Sequence, residues 1–226
     1  MKYLTRETYF STVNKINETS KGHWSTLTND RWDYFGRVIN LIKELNIAEP
    51  LRILEMGTVG ISCVMGTHTI DYADNWDFPD KKPTYLHDAR VLPWPIKTKH
   101  YELFIALRVY QHLAPFQKDC MIEAMRVAKK VIIVVPPIYE LPEMFPDSRG
   151  ITYSEFVEYL HGVHPNIYCP TLVGDLYFWD TENPSTFNLE GIMQPQIEKM
   201  PIQQPRESLY SSFTQIKNRI KKTLGK

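Results

Sequence analysis

Short apolar runs alternate with amphipathic stretches between residues 51 and 137 of the chain. The amphipathic stretch 117–128 has apolar side chains at helical spacing, and 109–113 is helix-like. The apolar runs are typical of buried strands, and they cover residues 51–57, 67–72, 83–86, 101–107 and 130–135. Strands that alternate with helices predict an α/β fold with a mainly parallel central sheet flanked by helices.

Weaker patterns lie on both sides of this core. Two helices over 5–16 and 30–46 are predicted to form an N-terminal helical extension, while 154–160 predicts a later helix and 168–179 is rich in strand-forming residues. The chain is therefore predicted to have four parts. They are a helical cap over 1–48, an α/β domain over 49–180, a Pro- and Gln-rich linker over 181–205 and a basic amphipathic helix over 206–226.

The last of these parts carries one apolar stripe with basic residues around it. The stripe consists of Leu209, Phe213, Ile216, Ile220 and Leu224. Six Lys and Arg residues accompany it against one acid, Glu207. Such a helix can contact an anionic membrane surface, so peripheral membrane contact through 206–226 is one hypothesis. The other is a helix packed on its own domain or on a second copy of the chain, and the oligomeric state stays open.

Composition and charge narrow the classes of function. The 226 residues are 43% hydrophobic, which excludes wholesale disorder, and 26 Lys and Arg balance 26 Asp and Glu. A neutral chain lacks the basic field of nucleic-acid binders, so no nucleic-acid partner is expected. Three widely spaced cysteines argue against a disulfide framework or a zinc ribbon. Since no apolar run is long enough for a signal peptide or a membrane span, a cytoplasmic protein is expected, at the inner face of the membrane if the tail binds lipid.

Acidic residues and a glycine follow the apolar runs at the points where parallel sheets bind ligands. Glu55 and Gly57 end the first run, Asp71 ends the second, and Asp88 follows the third. A carboxylate can accept hydrogen bonds from both hydroxyls of a ribose, and one beside a small residue such as Ala89 suits an adenine amino group. Three acids with a glycine turn favour a pocket for a nucleoside over one for a pyrophosphate.

Several segments, in order, resemble the core of the class I S-adenosylmethionine-dependent methyltransferases. Residues 55–61 (EMGTVGI) resemble the first motif of that family, acid-x-Gly-x-Gly-x-Gly, and Asp71 matches its ribose-binding acid. Residues 88–94 (DARVLPW) resemble its Asp-Ala-x-x-Leu-Pro-Phe segment, and 101–113 resembles its fourth strand and the helix that follows. The resemblance covers about residues 45–137 and continues more weakly to about 180.

The chain also departs from the family pattern. Val59 and Ile61 stand where two of the motif glycines are expected, and Gly60 is displaced by one position. Only eight residues separate Gly60 from Thr69, so the first crossover helix is expected to be very short or absent. In the family, this region covers the methionine end of bound S-adenosylmethionine, so both departures affect that part of the expected site.

The resemblance implies a Rossmann-like methyltransferase fold, S-adenosylmethionine as the cofactor and a metal-independent transfer of a methyl group to a small polar acceptor. His112 is the candidate general base. A sugar or a surface-polysaccharide unit is the acceptor class favoured by the aromatic residues in 1–35, 138–150 and 165–195. They are Trp24, Tyr139, Phe145, Tyr168, Tyr177, Phe178 and Trp179. The resemblance also implies a set of cofactor-binding residues, which are Glu55, Gly57, Thr58, Gly60, Asp71, Tyr72, Asp88, Ala89, Leu107 and Arg108.

Other interpretations of the same residues stay open. Glu55 could cap a helix or pair with Arg52, Arg108 could pair with Glu102, and His112 could be an ordinary surface or core histidine. At the level of function, the degraded glycine motif is compatible with a non-catalytic methyltransferase-like module that binds a partner in a glycan-assembly system. A nicotinamide-dependent enzyme is disfavoured because the chain has no GxGxxG motif.

Overall fold

The structure is a computed structural model, and it describes residues 1–19, 28–73, 82–138 and 146–184. These residues belong to one compact unit, Met1–Phe187. The second unit, Asn188–Lys226, lies outside the described residues, and so do the predicted tail helix and most of the predicted linker. The four-part division of the chain therefore stays a prediction.

The helices and strands follow the order expected from the apolar pattern. Two helices, α1 (Arg6–Thr19) and α2 (Thr28–Glu44), precede the first strand of the sheet. Two more, α3 (Gln117–Val127) and α4 (Tyr153–Tyr159), come between later strands. The strands are β1 (Ile53–Met56), β2 (His68–Asp71), β3 (Tyr85–Leu86), β4 (Tyr101–Leu107), β5 (Ala128–Val135), β6 (Ile167–Thr171) and β7 (Gly174–Asp180). The segment predicted as helix-like after β4 is a 3-10 turn, Tyr110–Leu113.

The seven strands form one sheet in the order β3-β2-β1-β4-β5-β7-β6. Strands β1 to β5 are parallel, and β7 runs antiparallel between β5 and β6. The prediction of a mainly parallel, Rossmann-like α/β sheet is confirmed. Strand β5 lies in the interior of the sheet, between β4 and β7, which explains why its sequence is an almost continuous apolar run.

Helices cover both faces of the sheet, and each face has its own buried cluster. On one face α1 and α2 pack against Ile53, Leu103 and Ile132. On the other face α3 and α4 pack against Phe104 and Val131. Because side chains alternate between faces along a strand, successive residues from Leu103 to Ala106 in β4 and from Val131 to Val135 in β5 belong to the two clusters in turn. The predicted N-terminal helical extension thus forms part of the core.

The crossover from β1 to β2 has no helix. Its residues, 57–67, form turns and one bridge, in which Val64 pairs with Tyr3. The backbone N–H of Leu4 donates to the carbonyl oxygen of Cys63 at 2.9 Å, and that of Met65 donates to the carbonyl of Lys2 at 2.9 Å. The N-terminal segment is therefore tied to this connection, and the expectation of a very short or absent helix is confirmed.

Strand β3 is shorter than the predicted 83–86. The backbone N–H of Thr69 donates to Oγ1 of Thr84 at 3.1 Å, and the N–H of Thr84 donates to Oγ1 of Thr69 at 3.2 Å. These side-chain bonds replace the backbone ladder at the start of the strand. None of the helices within the described ranges is long and apolar enough to cross a membrane.

Candidate cofactor site

The candidate site lies where the order of strands changes direction, between β1 and β4. Connections leave these two neighbours toward opposite sides of the sheet, which opens a crevice at their carboxyl ends. Gly57, directly after β1, has φ +62, and a Cβ on it would lie 2.6 Å from Cγ2 of Val109, which follows β4. Both its backbone conformation and this close approach require glycine here.

The turn after β1 continues in left-handed conformations. Gly60 has φ +86 and Val59 has φ +43, and the backbone N–H of Ile61 donates to the carbonyl of Thr58 at 2.8 Å. A β-branched residue is strained at positive φ because its Cβ crowds the backbone. Val59, a departure from the family motif in sequence, therefore keeps the backbone conformation that a glycine would adopt without strain.

The carboxylate of Glu55 is directed at the connection between β1 and β2. It accepts hydrogen bonds from the backbone N–H of Cys63 at 2.9 Å, from the N–H of Val64 at 3.3 Å and from Oγ1 of Thr67 at 3.0 Å. Glu55 is only 2% exposed, and burial raises the pKa of its carboxyl to about 7. Glu55 does not pair with Arg52, whose Nε lies 3.4 Å from Oε1 of Glu102 instead.

Asp71 and Tyr72 lie at the carboxyl end of β2. Oδ1 of Asp71 accepts a hydrogen bond from the backbone N–H of Tyr72 at 2.8 Å, and the carbonyl of Asp71 accepts one from the N–H of His87 at 2.8 Å. The Tyr72 side chain is 60% exposed. Its pKa is raised, first by partial burial and then by the charge of Asp71, with Arg90 and Asp88 also close enough to act on it. The ends of β2 and β3 therefore meet around the Tyr72 ring.

Asp88 lies beyond the end of β3 and is already paired. Nε of Arg90 donates to its Oδ1 at 3.0 Å, and Nη2 donates to its Oδ2 at 2.8 Å. These bonds lower the pKa of the Asp88 carboxyl. The next residue, Ala89, is buried, and its carbonyl accepts a hydrogen bond from Nε1 of Trp94 at 2.8 Å. An adenine amino group at Asp88 would have to share the carboxylate with Arg90.

Leu107 and Arg108 form the end of β4. Leu107 is half-buried against the α1/α2 cluster. Arg108 has φ +61, its backbone N–H donates to the carbonyl of Val134 at 2.7 Å, and its guanidinium donates to the carbonyl of Val173 in the turn between β6 and β7. Arg108 thus joins the end of β4 to that turn, and Glu102 is paired with Arg52 instead.

His112 lies on the 3-10 turn after β4, at the surface. Its Nδ1 is 2.7 Å from Oγ of Ser148, and its Nε2 is 3.1 Å from Nε2 of Gln111. Partial burial of the ring, followed by the positive charge of Arg108, lowers the pKa of His112. The imidazole is therefore neutral at neutral pH.

The structure brings only some of the sequence-predicted residues together. Asp71 and Asp88 both lie close to Tyr72. The Glu55 carboxylate instead accepts hydrogen bonds from the connection between β1 and β2. Sequence reasoning missed Gln111 and Ser148, since the direction of the Gln111 side chain and the contact of Ser148 with His112, 36 residues away, both depend on the fold. Within the parts of the chain that the structure describes, no group of three or more His, Cys, Asp and Glu side chains could hold a metal ion, which leaves the prediction of a metal-independent reaction untested.

The aromatic residues singled out for acceptor recognition need a correction. Tyr177, Phe178 and Trp179 are buried core residues of β7, so they cannot present their faces to a ligand. They are buried because β7 lies between β5 and β6 and both of its faces are covered. Tyr168 is only partly buried. The remaining three, Trp24, Tyr139 and Phe145, lie outside the described residues.

Comparisons with known proteins return structural similarity only. No family model matches the chain, and no curated protein matches its sequence. A SAM-dependent methyltransferase from Aquifex aeolicus is 14% identical with a TM-score of 0.49, over 74% of this chain and 96% of that one. The magnesium protoporphyrin IX methyltransferase from Synechocystis PCC 6803, solved with bound SAH, is 14% identical with a TM-score of 0.46, over 75% and 94%. A third neighbour, from Bacillus halodurans C-125 and described as a putative methyltransferase, is 12% identical with a TM-score of 0.43, over 58% and 71%.

Proposed function

We propose that this chain is an S-adenosylmethionine-dependent methyltransferase that acts on a small polar acceptor. The observation that carries the proposal is the meeting of Asp71, Tyr72 and Asp88 at the carboxyl ends of neighbouring parallel strands, beside the glycine turn at Gly57. A carboxylate and an exposed aromatic ring side by side suit a ribose and an adenine. The crevice at the change of strand order is where ligands bind in open parallel sheets.

The residues present fit the cofactor. The left-handed backbone at Gly57, with φ +62, lets the chain turn tightly at the end of β1 and pack against Val109, and the Asp71 side chain is half-exposed for the ribose hydroxyls. Tyr72 offers its ring to the adenine, while Arg108 is placed at the end of β4. When bound, S-adenosylmethionine supplies an activated methyl group, so the main task of the chain is to align the acceptor with it.

The acceptor is proposed to be a sugar or a surface-polysaccharide unit. The support is the partly exposed Tyr168, whose hydroxyl donates to Oδ2 of Asp175 at 2.9 Å, because an aromatic ring beside an acid is a common arrangement for sugar binding. Titration of candidate sugars against intrinsic tryptophan and tyrosine fluorescence tests this choice. A quench by sugars that Tyr168→Leu removes supports it, and a quench by other small molecules alone contradicts it.

Calorimetry with S-adenosylhomocysteine, the product form of the cofactor, tests the function as a whole. We expect binding that Asp71→Ala abolishes and that Asp119→Ala leaves intact, since Asp119 makes the same change of charge on the exposed side of α3. NAD serves as the ligand control. Binding of NAD alone, or no change in affinity in Asp71→Ala, would contradict the proposal.

A second candidate, a non-catalytic binding module in a glycan-assembly system, is favoured by the helix-free connection 57–67 and by the strained Val59. The two functions differ in turnover. Transfer of a labelled methyl group from S-adenosylmethionine to an extract of cellular glycans supports the enzyme. Tight cofactor binding without any transfer to sugars, small molecules or proteins favours the module.

We further propose peripheral contact of 206–226 with an anionic membrane surface, at its cytoplasmic face. The support is the sequence alone, in which an apolar stripe is surrounded by six basic residues. Sedimentation with vesicles that contain anionic lipid compares the full chain with a chain that ends at residue 205. Equal partitioning of the two chains would contradict the contact and favour packing on protein.

A further inference from the structure

Three polar side chains form a continuous chain of hydrogen bonds beyond the end of β4. Nε2 of Gln111 donates to the carbonyl oxygen of Arg108 at 2.5 Å and lies 3.1 Å from Nε2 of His112. Nδ1 of the same ring lies 2.7 Å from Oγ of Ser148. Both ring nitrogens of His112 therefore have a named partner, one on each side.

This chain of bonds determines where the proton of the neutral ring lies. A carbonyl oxygen only accepts, so the Gln111 atom that faces Arg108 must be its amide nitrogen. That nitrogen is then a donor toward Nε2 of His112, which must accept and carries no proton. The single proton of the neutral imidazole is left on Nδ1, and it is donated to Oγ of Ser148.

The segment that carries Ser148 is fixed against the ends of β4 and β5. The backbone N–H of Arg149 donates to the carbonyl of Gln111 at 2.8 Å, and Nε2 of Gln117 donates to the carbonyl of Arg149 at 2.8 Å. A Cβ on Gly150 would lie 2.5 Å from the carbonyl oxygen of Pro137, so the backbone packs closely there. Oγ of Ser148 is thus held at the ring by bonds that do not involve the ring.

The charges around the ring keep it neutral. Partial burial lowers the pKa of the ring, and among the described residues the positive charge of Arg108 lowers it further. The guanidinium of Arg149 is turned away, toward Gln117, Glu155 and Tyr159. A neutral ring needs a fixed tautomer in order to present one defined nitrogen as a proton acceptor.

Gln111 adds a second indication that a ligand group belongs here. The residue is 2% exposed, and its Oε1 is buried without a hydrogen-bond partner. A buried acceptor without a donor is unfavourable, and such atoms are rare in native proteins. An acceptor molecule with hydroxyl or amino donors would satisfy it.

We propose that Gln111 is a positioning residue that holds the His112 proton on Nδ1, where Ser148 accepts it, so that Nε2 is the atom that takes the proton of the methyl acceptor. The proposal rests on the methyltransferase function proposed above. An acceptor hydroxyl displaces the Gln111 amide at Nε2 and gives its proton to that nitrogen. Its oxygen lone pair forms the new bond to the methyl carbon as the electron pair of the carbon–sulfur bond passes to sulfur, which leaves as a neutral thioether.

The test is the tautomer of His112, measured by nuclear magnetic resonance on the full chain with ¹⁵N-labelled imidazoles. His112→Gln assigns its signals among the seven histidines. At neutral pH we expect the wild-type ring to be neutral with its proton on Nδ1. Ser148→Thr keeps the hydroxyl at Nδ1 and should keep this pattern. Gln111→Leu removes the donor at Nε2 and should shift the ring at least several-fold toward the Nε2-protonated form, because the Ser148 hydroxyl can donate to Nδ1 as well as accept from it. His68, whose Nδ1 is 2.7 Å from the Tyr101 hydroxyl, is the internal control and should not change.

Two results would overturn the proposal. One is a wild-type His112 that is charged or protonated on Nε2 at neutral pH, and the other is a Gln111→Leu ring with the wild-type tautomer. A merely structural Gln111 would alter stability without moving the proton between ring nitrogens. The measurement needs no cofactor, so its failure is distinguishable from failure of S-adenosylhomocysteine to bind, which contradicts the proposed function itself.

Discussion

Oε2 of Glu55 lies 2.9 Å from the backbone nitrogen of Cys63, eight residues further along the chain. This bond, with those from Val64 and Thr67, holds the connection that replaces the first crossover helix. A carboxylate at the end of β1 thereby fixes the connection to β2, in which there is no helix. Since the same connection is bridged to Tyr3, it also anchors the N-terminal segment.

Removing this carboxylate is expected to destabilise the fold strongly. Glu55→Ala leaves two buried backbone N–H groups without an acceptor, and each buried donor left unsatisfied costs roughly 1–3 kcal/mol. Denaturation by urea should show a loss of about 3 kcal/mol in the free energy of unfolding. Glu49→Ala, an exposed glutamate that makes no side-chain cap bond, is the control and should change little. Equal midpoints for the two variants would refute a structural role of Glu55.

The same residue predicts a dependence of stability on pH. Burial raises the pKa of Glu55 from 4.5 to about 7, so between these values the folded chain binds more protons than the unfolded chain. The contribution of Glu55 to stability is therefore complete below about pH 4.5 and declines by roughly 3 kcal/mol as the pH rises through 7. Urea titrations at several pH values should show this decline in the wild type. Glu55→Gln, which cannot ionise, should flatten it, and an identical slope in both proteins would contradict the assignment.

Gly57→Ala tests the close approach of the turn after β1 to Val109. The added Cβ would lie 2.6 Å from Cγ2 of Val109 on a backbone with φ +62, so we expect both strain and a collision. Gly162→Ala is the matched control, because Gly162 has φ +92 but nothing within 4 Å of its Cβ position. The control should lose about 1 kcal/mol from backbone strain alone. Gly57→Ala should lose more and should also weaken binding of S-adenosylhomocysteine, as measured by calorimetry. Equal losses in the two variants would show that Val109 yields.

Variants of Asp88 and Arg90 test whether Asp88 binds the cofactor or only forms a surface ion pair with Arg90. If Asp88 contacts the adenine, Asp88→Ala should weaken S-adenosylhomocysteine binding about tenfold, since a hydrogen bond to a charged group is worth roughly 1.5–3 kcal/mol. Arg90→Ala removes only the competitor for the carboxylate, so affinity should be retained or increased. Because the pair is exposed, Arg90→Ala should change stability by less than about 1 kcal/mol. Equal loss of affinity in both variants would mean that the ion pair as a whole shapes the site.

The sequence predicted the sheet better than the site. The runs that became β1, β2, β4 and β5 were predicted from apolar residues alone, and β4 has the predicted bounds. A buried parallel strand needs apolar residues on both faces, and this requirement is visible within a few residues of sequence. The order of the acids along the chain likewise predicted that Asp71 and Asp88 lie at the same edge.

What the sequence alone determined is thus the alternation of strands and helices, the mainly parallel sheet and the edge at which polar groups gather, because these depend on patterns within short segments. The tertiary structure decided the partners of those groups. The Glu55 carboxylate accepts from Cys63, and Asp88 forms an ion pair with Arg90. Tyr177 is buried, and Ser148 lies at the His112 ring. Such contacts join residues that the fold brings together from distant parts of the chain, and a hydrogen bond depends on distance and direction in space, which no local pattern encodes.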